Sequence, residues 1–174
     1  MDSFNPTTKT QAALTAALQA ATTAGNPQIM PAHLLMALLT QNDGIAAPLL
    51  EAVGVDPATI RAETQRLLDR LPSASGASSQ PQLSRESIAA ITTAQNLATE
   101  MDDEYVSTEH VMVGLAGGLG GSAAAGDSDV AKLLTGHGAS LQALREAFVN
   151  VRGSARVTTP DPEGSYQALE KYST

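Results

Sequence analysis

The sequence predicts an all-α domain made of two pseudo-symmetric four-helix repeats. Three observations carry that expectation: apolar residues recur at three- and four-residue steps, capping residues punctuate the recurrence, and the second half of the chain matches the first at a fixed offset. Composition agrees. Apolar residues make up 43% of the chain, yet aromatics are only 3% and Trp is absent. The core must therefore be filled mainly by Ala and Leu, which suits close helix packing better than a β-sandwich.

From Thr7 to Ala24 the residues Ala13, Leu14, Ala17, Leu18, Ala21 and Ala24 form one helical stripe, which Gly25-Asn26-Pro27 breaks. Pro31 opens a second helix through Leu39, because a first-turn N–H has no partner to lose there. A short helix over Ala46 to Val53 stops at Gly54, and Asp56-Pro57 supplies the cap and first turn of a fourth helix with Ile60, Thr64, Leu67, Leu68 and Leu71 on one face. The segment 72–82, PSASGASSQPQ, has no large apolar residue and reads as a flexible linker. The pattern then restarts. Ser84 caps a helix carrying Ile88, Ile91, Ala94, Leu97, Ala98 and Met101, and Ser107 or Thr108 caps the next. A Gly-rich loop over Gly117 to Gly126 leads to a short helix around Asp129 to Thr135, and Ser140 caps a last helix with Leu141, Leu144, Phe148 and Val151. Residues 1–152 thus form one domain, with repeat one at 5–71 and repeat two at 83–152, and 153–174 a linker towards an absent domain, with a turn or two of weak helix over Tyr166 to Tyr172.

The duplication is visible by number. At an offset of 77, Leu14 falls on Ile91, Ala17 on Ala94, Ala21 on Ala98, Ile29 on Val106, His33 on His110 and Leu38 on Leu115. Beyond the Gly-rich loop the offset becomes 84, placing Leu49 and Leu50 on Leu133 and Leu134, Gly54 on Gly138, and Arg61 on Arg145. Two copies of so long a unit predict a pair of bundles sharing one core rather than a solenoid.

Charge narrows the function. Ten basic against eighteen acidic residues give a net charge of −8, so nucleic acid and anionic membrane are expected to be repelled and the partner to be a protein. No Cys is present, which excludes disulfides, thiolate catalysis and Cys-based zinc sites and fits a cytoplasmic setting. The start, Met1 to Pro6, has no basic segment followed by an apolar stretch, and the longest apolar run, Leu34 to Leu39, is too short to span a bilayer.

Motifs for catalysis fail on context. The lysines are Lys9, Lys132 and Lys171, none follows Gly, and so no P-loop can form and no cofactor is expected. Gly118-Leu119-Gly120-Gly121-Ser122-Ala123 resembles a loose dinucleotide fingerprint without the strand that must precede it, and Gly120 to Ala124 misses the last position of a nucleophile elbow. A small hydrolase using His and Ser is set against the duplication of His33 and His110, which suits a structural hydrogen bond repeated at each helix start. Asp102-Asp103-Glu104 with Glu109 matches no Ca²⁺ loop and reads as a solvated acidic turn or a protein-contact rim, with no metal expected.

Thr7-Thr8-Lys9 before an Ala/Leu stripe, Pro31-Ala32-His33-Leu34-Leu35 and Ser107-Thr108-Glu109-His110-Val111 together resemble the Clp N-terminal repeat family over about residues 5–152. The tail Gln167 to Tyr172 looks like the segment that joins such a domain to the first ATPase ring in the disaggregase branch of that family. Two departures stand out: Pro31-Ala32 where the family often has Thr-Glu, and the seven-residue insertion in the Gly-rich loop. The resemblance implies a non-catalytic, monomeric domain that binds unfolded or aggregated polypeptides and hands them to a hexameric ATPase, working with a co-chaperone system; the alternative it implies is a dock for adaptor proteins. It also points to Thr7, Asp103 and Glu109 as polar contacts to a client backbone, with Leu97 and Ile91 as apolar surface beside them. Each has a plainer reading: Thr7 as a helix cap, Asp103 as a turn residue, Glu109 as a first-turn carboxylate favoured by the helix dipole, and Ile91 as core, since it repeats Leu14. Thr93, polar where a groove would be apolar, argues against a strongly hydrophobic groove.

Overall fold

A computed structural model describes residues 5–41, 44–71, 73, 80–117 and 129–152, with side chains to 150. Most of the linker 72–82, the Gly-rich loop beyond Gly117 and the tail 153–174 lie outside the described residues. The domain is all-α, with eight helices among the described residues: α1 (Thr8–Ala24), α2 (Pro31–Leu39), α3 (Ala46–Ala52), α4 (Pro57–Asp69), α5 (Arg85–Glu100), α6 (Thr108–Ala116), α7 (Asp129–Gly136) and α8 (Leu141–Arg152). Two short strands, β1 (Gln28–Ile29) and β2 (Gln82–Leu83), complete it.

The helix starts follow from side-chain oxygens that take up unsatisfied first-turn N–H groups. Thr7 accepts from the Thr10 N–H at 3.2 Å and Ser84, its repeat mate, from the Ser87 N–H at 3.1 Å. Asp56 and Ser140 do the same for α4 and α8. The long helices end alike as well. Gly25 turns left-handed at φ 73°, and at the matching place stands Asp102 at φ 60°. The following residues close the same turn, Asn26 N–H to the Ala21 carbonyl at 2.9 Å and Asp103 N–H to the Ala98 carbonyl at 2.8 Å.

Two central helices hold the fold together. All nine residues of α6 are buried, as are seven of the nine in α2. Around them the repeats are interlocked: α3 of repeat one packs on α8 of repeat two, and α7 of repeat two packs on α4 of repeat one. One continuous core results, running from Ala13, Ala17 and Ala21 through Leu34, Leu35 and Leu49 to Met112, Leu134, Leu144 and Phe148.

The strands correct the linker reading. Gln82 closes a segment read as flexible, yet it pairs in parallel with Gln28, and Leu83 with Ile29. An isolated parallel bridge joins Pro6 to Val106. At the offset of 77 these two pairings are equivalent, so each repeat sends its leading segment to pair with the loop of the other. Such pairing across the repeats leaves no periodic signal, because each strand is only two residues long.

Candidate functional site

The same two pairings orient α1 against α5. Ile29 follows the end of α1 and pairs with Leu83 just before α5, while Pro6 precedes α1 and pairs with Val106 after α5. The two long helices therefore run antiparallel. Each buries an Ala stripe, Ala13, Ala17 and Ala21 in α1 and Ala90, Ala94 and Ala98 in α5. The neighbouring stripe of each helix faces a shared groove.

That groove has a volume of about 440 Å³ and is lined by Gln11, Leu14, Thr15 and Leu18 from α1 and Ile88, Ile91, Thr92 and Gln95 from α5. The eight helix residues of the lining match in four pairs at the offset of 77, so the groove straddles the pseudo-twofold axis of the domain. Ile29 and Leu83 close one end. None of the lining residues is charged. The three exposed large apolar residues among those described are Leu83, Ile88 and Val149, at 38%, 49% and 44% exposure, and two of them sit here. Exposed apolar side chains gathered in a concave, uncharged surface make this groove the candidate site of the domain. The end near Leu18, Ile29, Leu83 and Ile88 is aliphatic, whereas Gln11 and Gln95 put amides at the other, since α1 and α5 are antiparallel.

The residues singled out in the sequence are placed differently from one another. Ile91 lines the groove beside Leu14 while also packing on the core. Leu97 is a correction: it is fully buried and offers no surface, because it stands on the core-facing side of α5 with Ala94 and Ala98. Thr7 and Glu109 are also fully buried, and the Asp103 side chain is closed to solvent. Direct contact with a client backbone requires exposed polar atoms, which these side chains do not present here. Thr7 caps α1 and donates to the Thr10 hydroxyl at 3.0 Å. Asp103 receives the Nε2–H of His110 at 2.8 Å, and Glu109 lies in the first turn of α6. Thr93 is buried in the core, so it has no bearing on the groove, whose lining is more apolar than the sequence led us to expect.

In the sequence, Leu14, Leu18, Ile29 and Ile88 read only as helix-stripe or repeat-matching residues, and neither they nor Leu83 stand out there as site residues. A usable signal was present: Leu14 and Ile91 match at the repeat offset and each sits one position from its Ala stripe, the place on a helix that a neighbouring partner covers.

The histidines act at the helix starts. The Met30 N–H donates to His33 Nδ1 at 2.8 Å and the Ser107 N–H to His110 Nδ1 at 2.9 Å. A backbone N–H can only donate, so Nδ1 is bare in both rings and Nε2 carries the proton. His33 passes it towards Asn26 Oδ1 at 2.9 Å, and burial pushes the His33 imidazole below its ordinary value of 6.5. A second, charged cleft of about 710 Å³ lies between α4 and α7, lined by Glu63, Arg66, Asp69, Arg70, Asp129 and Lys132 among others. Among the described residues no group of His, Asp or Glu is arranged to hold a metal ion, and no helix is long and apolar enough to cross a membrane.

A duplicated, interlocked helical bundle with a groove on its pseudo-twofold axis defines a class of N-terminal repeat domain. Residues 5–125 match the family of the Clp repeat (R) N-terminal domain, and the chain belongs to that family. It is similar to the chaperone protein ClpB of Mycobacterium tuberculosis, 84% identical over 174 residues, all of this chain but 20% of that protein. The chain thus spans about a fifth of the length of the curated relatives it matches. In fold it is similar to the Hsp104 N-terminal domain from Candida albicans, with a TM-score of 0.75 and 19% identity over 91% of this chain and 99% of that one. It is also similar to a ClpV N-domain solved in complex with a VipB peptide, with a TM-score of 0.63 and 14% identity over 83% and 85% of the two chains.

Proposed function

We propose that this chain is the polypeptide-recognition domain of an ATP-dependent disaggregase chaperone, and that it holds apolar segments of unfolded or aggregated proteins in the groove between α1 and α5. The observation that carries this reading is the gathering of Leu83 and Ile88 with Leu14, Leu18, Ile29 and Ile91 in one uncharged groove. Similarity to ClpB supports it, as does a peptide bound to a ClpV N-domain of the same fold. A fully covered Leu or Ile contributes about 1.5–3 kcal/mol, but these side chains are already partly buried and association itself costs several kcal/mol. Binding is therefore weak and tolerant of sequence, as a domain that must release its client to a motor requires. In this reading Thr7, Asp103 and Glu109 act indirectly, by fixing the start of α1, the loop after α5 and the start of α6, which set the amide end of the groove. The ATPase ring and the hexamer belong to the rest of the protein, and the setting is cytoplasmic.

Substituting Ile88, half exposed and outside the core, tests this without threatening the fold. Ile88→Asp is expected to weaken capture of reduced, carboxymethylated lysozyme at least tenfold, because a client closing over the groove would desolvate an unpaired carboxylate, at about 1–3 kcal/mol or more. Circular dichroism and the thermal midpoint should not change. Undiminished capture by this variant would remove the groove from the reading. The adaptor-docking alternative draws on the charged cleft between α4 and α7 instead; there Arg66→Glu and Arg70→Glu, rather than Ile88→Asp, would abolish partner binding.

A further inference from the structure

The two cross-repeat pairings are equivalent in backbone and unequal in what they leave open. In a parallel ladder, a residue directs both its main-chain groups to the same side, and successive residues alternate. The Thr7 N–H donates to the Val106 carbonyl at 3.0 Å and the Val106 N–H to the Asn5 carbonyl at 2.7 Å. Val106 thus faces inward and Pro6 faces away. The Ser84 N–H donates to the Ile29 carbonyl at 3.0 Å, and the Gln82 N–H to the Pro27 carbonyl at 3.4 Å. Ile29 thus faces inward and Leu83 faces away.

Pro6 has no N–H, so its edge cannot donate to another strand, and Pro in that position is a common way to close an edge. Leu83 keeps both groups. Its N–H and carbonyl make no hydrogen bond among the described residues, and the residue is 38% exposed. Its side chain lines the aliphatic end of the groove beside Ile29 and Ile88. One of two equivalent edges is therefore closed, and the other is unpaired among the described residues where the apolar surface is concentrated.

We propose that Leu83 is a main-chain docking point, at which an extended apolar segment of the client adds to β2 as a third strand. This rests on the groove being the client site. The Leu83 N–H donates to a client carbonyl, a client N–H donates to the Leu83 carbonyl, and alternate client side chains fall on Leu18, Ile29 and Ile88. Main-chain pairing supplies affinity without reading sequence, which suits a partner defined only by being unfolded. It also sets the conformation of the bound segment: a client helix has its N–H groups committed internally and gains nothing from Leu83.

Leu83→Pro tests this directly. The N–H it removes makes no hydrogen bond among the described residues, Gln82 before it is already extended as a pre-proline residue must be, and Pro6 occupies the equivalent place. Leu83→Val serves as the control, keeping the donor and an apolar side chain. With a fluorescein-labelled nonapeptide alternating Val and Ser, Leu83→Pro is expected to raise Kd about tenfold, the scale of losing one buried hydrogen bond, and Leu83→Val less than threefold. On the unmodified domain, the peptide N-methylated at its Val positions and the one N-methylated at its Ser positions should differ in affinity by a similar factor, because only one set faces Leu83. Equal binding by Leu83→Pro and Leu83→Val, or by the two methylated peptides, overturns strand addition. If Ile88→Asp still loses the peptide in that case, the groove stands as the client site and only the mode of docking fails; if Ile88→Asp binds normally, the site itself is elsewhere.

Discussion

In repeat one the chain leaves α1 through Gly25 in the left-handed region, and His33 at the start of α2 donates to the amide of Asn26. In repeat two it leaves α5 through Asp102 in the same region, and His110 at the start of α6 donates to the carboxylate of Asp103. The geometry is shared and the chemistry is not. A second difference lies one turn further along: Ala37 in α2 is matched by Gly114 in α6, and Gly114 lets α6 close onto α5, where a methyl would lie 2.3 Å from the Ala90 carbonyl oxygen. His110 is also stacked edge-on against Phe148, with ring centroids 5.3 Å apart. Repeat two, whose α6 is wholly buried, is thus the more tightly committed half. Duplication preserved the hydrogen-bonding pattern of the junction, and substitution then changed its charge and its packing.

The contrast predicts unequal costs for matched substitutions. Gly114→Ala should cost the most, about 3 kcal/mol, because the added methyl meets main chain rather than a side chain that can swing away. Ala37→Gly, the reverse change in repeat one, should cost about 1–2 kcal/mol through helix propensity and a lost buried methyl. Urea titrations of the two variants measure the gap, and similar losses would mean the helix pairs are packed alike.

Next in size is the acceptor of the second histidine. Asp103→Ala strands a buried imidazole N–H and should cost about 2 kcal/mol, whereas Asp103→Asn, which copies repeat one, keeps an acceptor and should cost under about 1 kcal/mol. An Asp103→Asn loss as large as that of Asp103→Ala would show that charge, not the hydrogen bond, is what repeat two requires.

The smallest expected effect is on pH. Burial lowers the folded-state value of His33 below 6.5, so the unfolded chain takes up the proton first as pH falls. The stability His33 provides is whole above the unfolded value and is lost as pH drops below about 6.5 and through the lowered folded value. Protonation would also set an Nδ1–H against the Met30 N–H. Unfolding free energies at pH 7.5 and 5.5 should therefore fall more steeply for the natural chain than for His33→Gln; parallel slopes would assign the acid sensitivity to other groups.

Much of this architecture was legible in the residues. Thr7, Ser84, Asp56 and Ser140 announce helix starts, Gly25, Gly54 and Gly138 announce stops, and the paired histidines betray the duplication. The groove was legible only in part. Ile91 could be matched with Leu14, but whether that stripe is core or surface depends on how far α5 lies from α1, and no local pattern encodes that distance. Asp103 read as an acidic turn because its partner, His110, is a turn and a half-loop away, although the offset that pairs His33 with His110 also pairs Asn26 with Asp103.

By itself the sequence determined the helices, their caps, the duplication and the family, because those rest on contacts within a few residues or on direct correspondence between positions. The tertiary structure alone decided that each repeat pairs its leading segment with the other repeat, that Leu97 turns inward while Ile88 stays out, and that Leu83 faces away from its pairing partner with its main chain unpaired among the described residues. These depend on which surfaces meet after the helices have formed. Burial is a property of the packed pair of repeats, and a residue acquires it from neighbours that can stand anywhere along the chain.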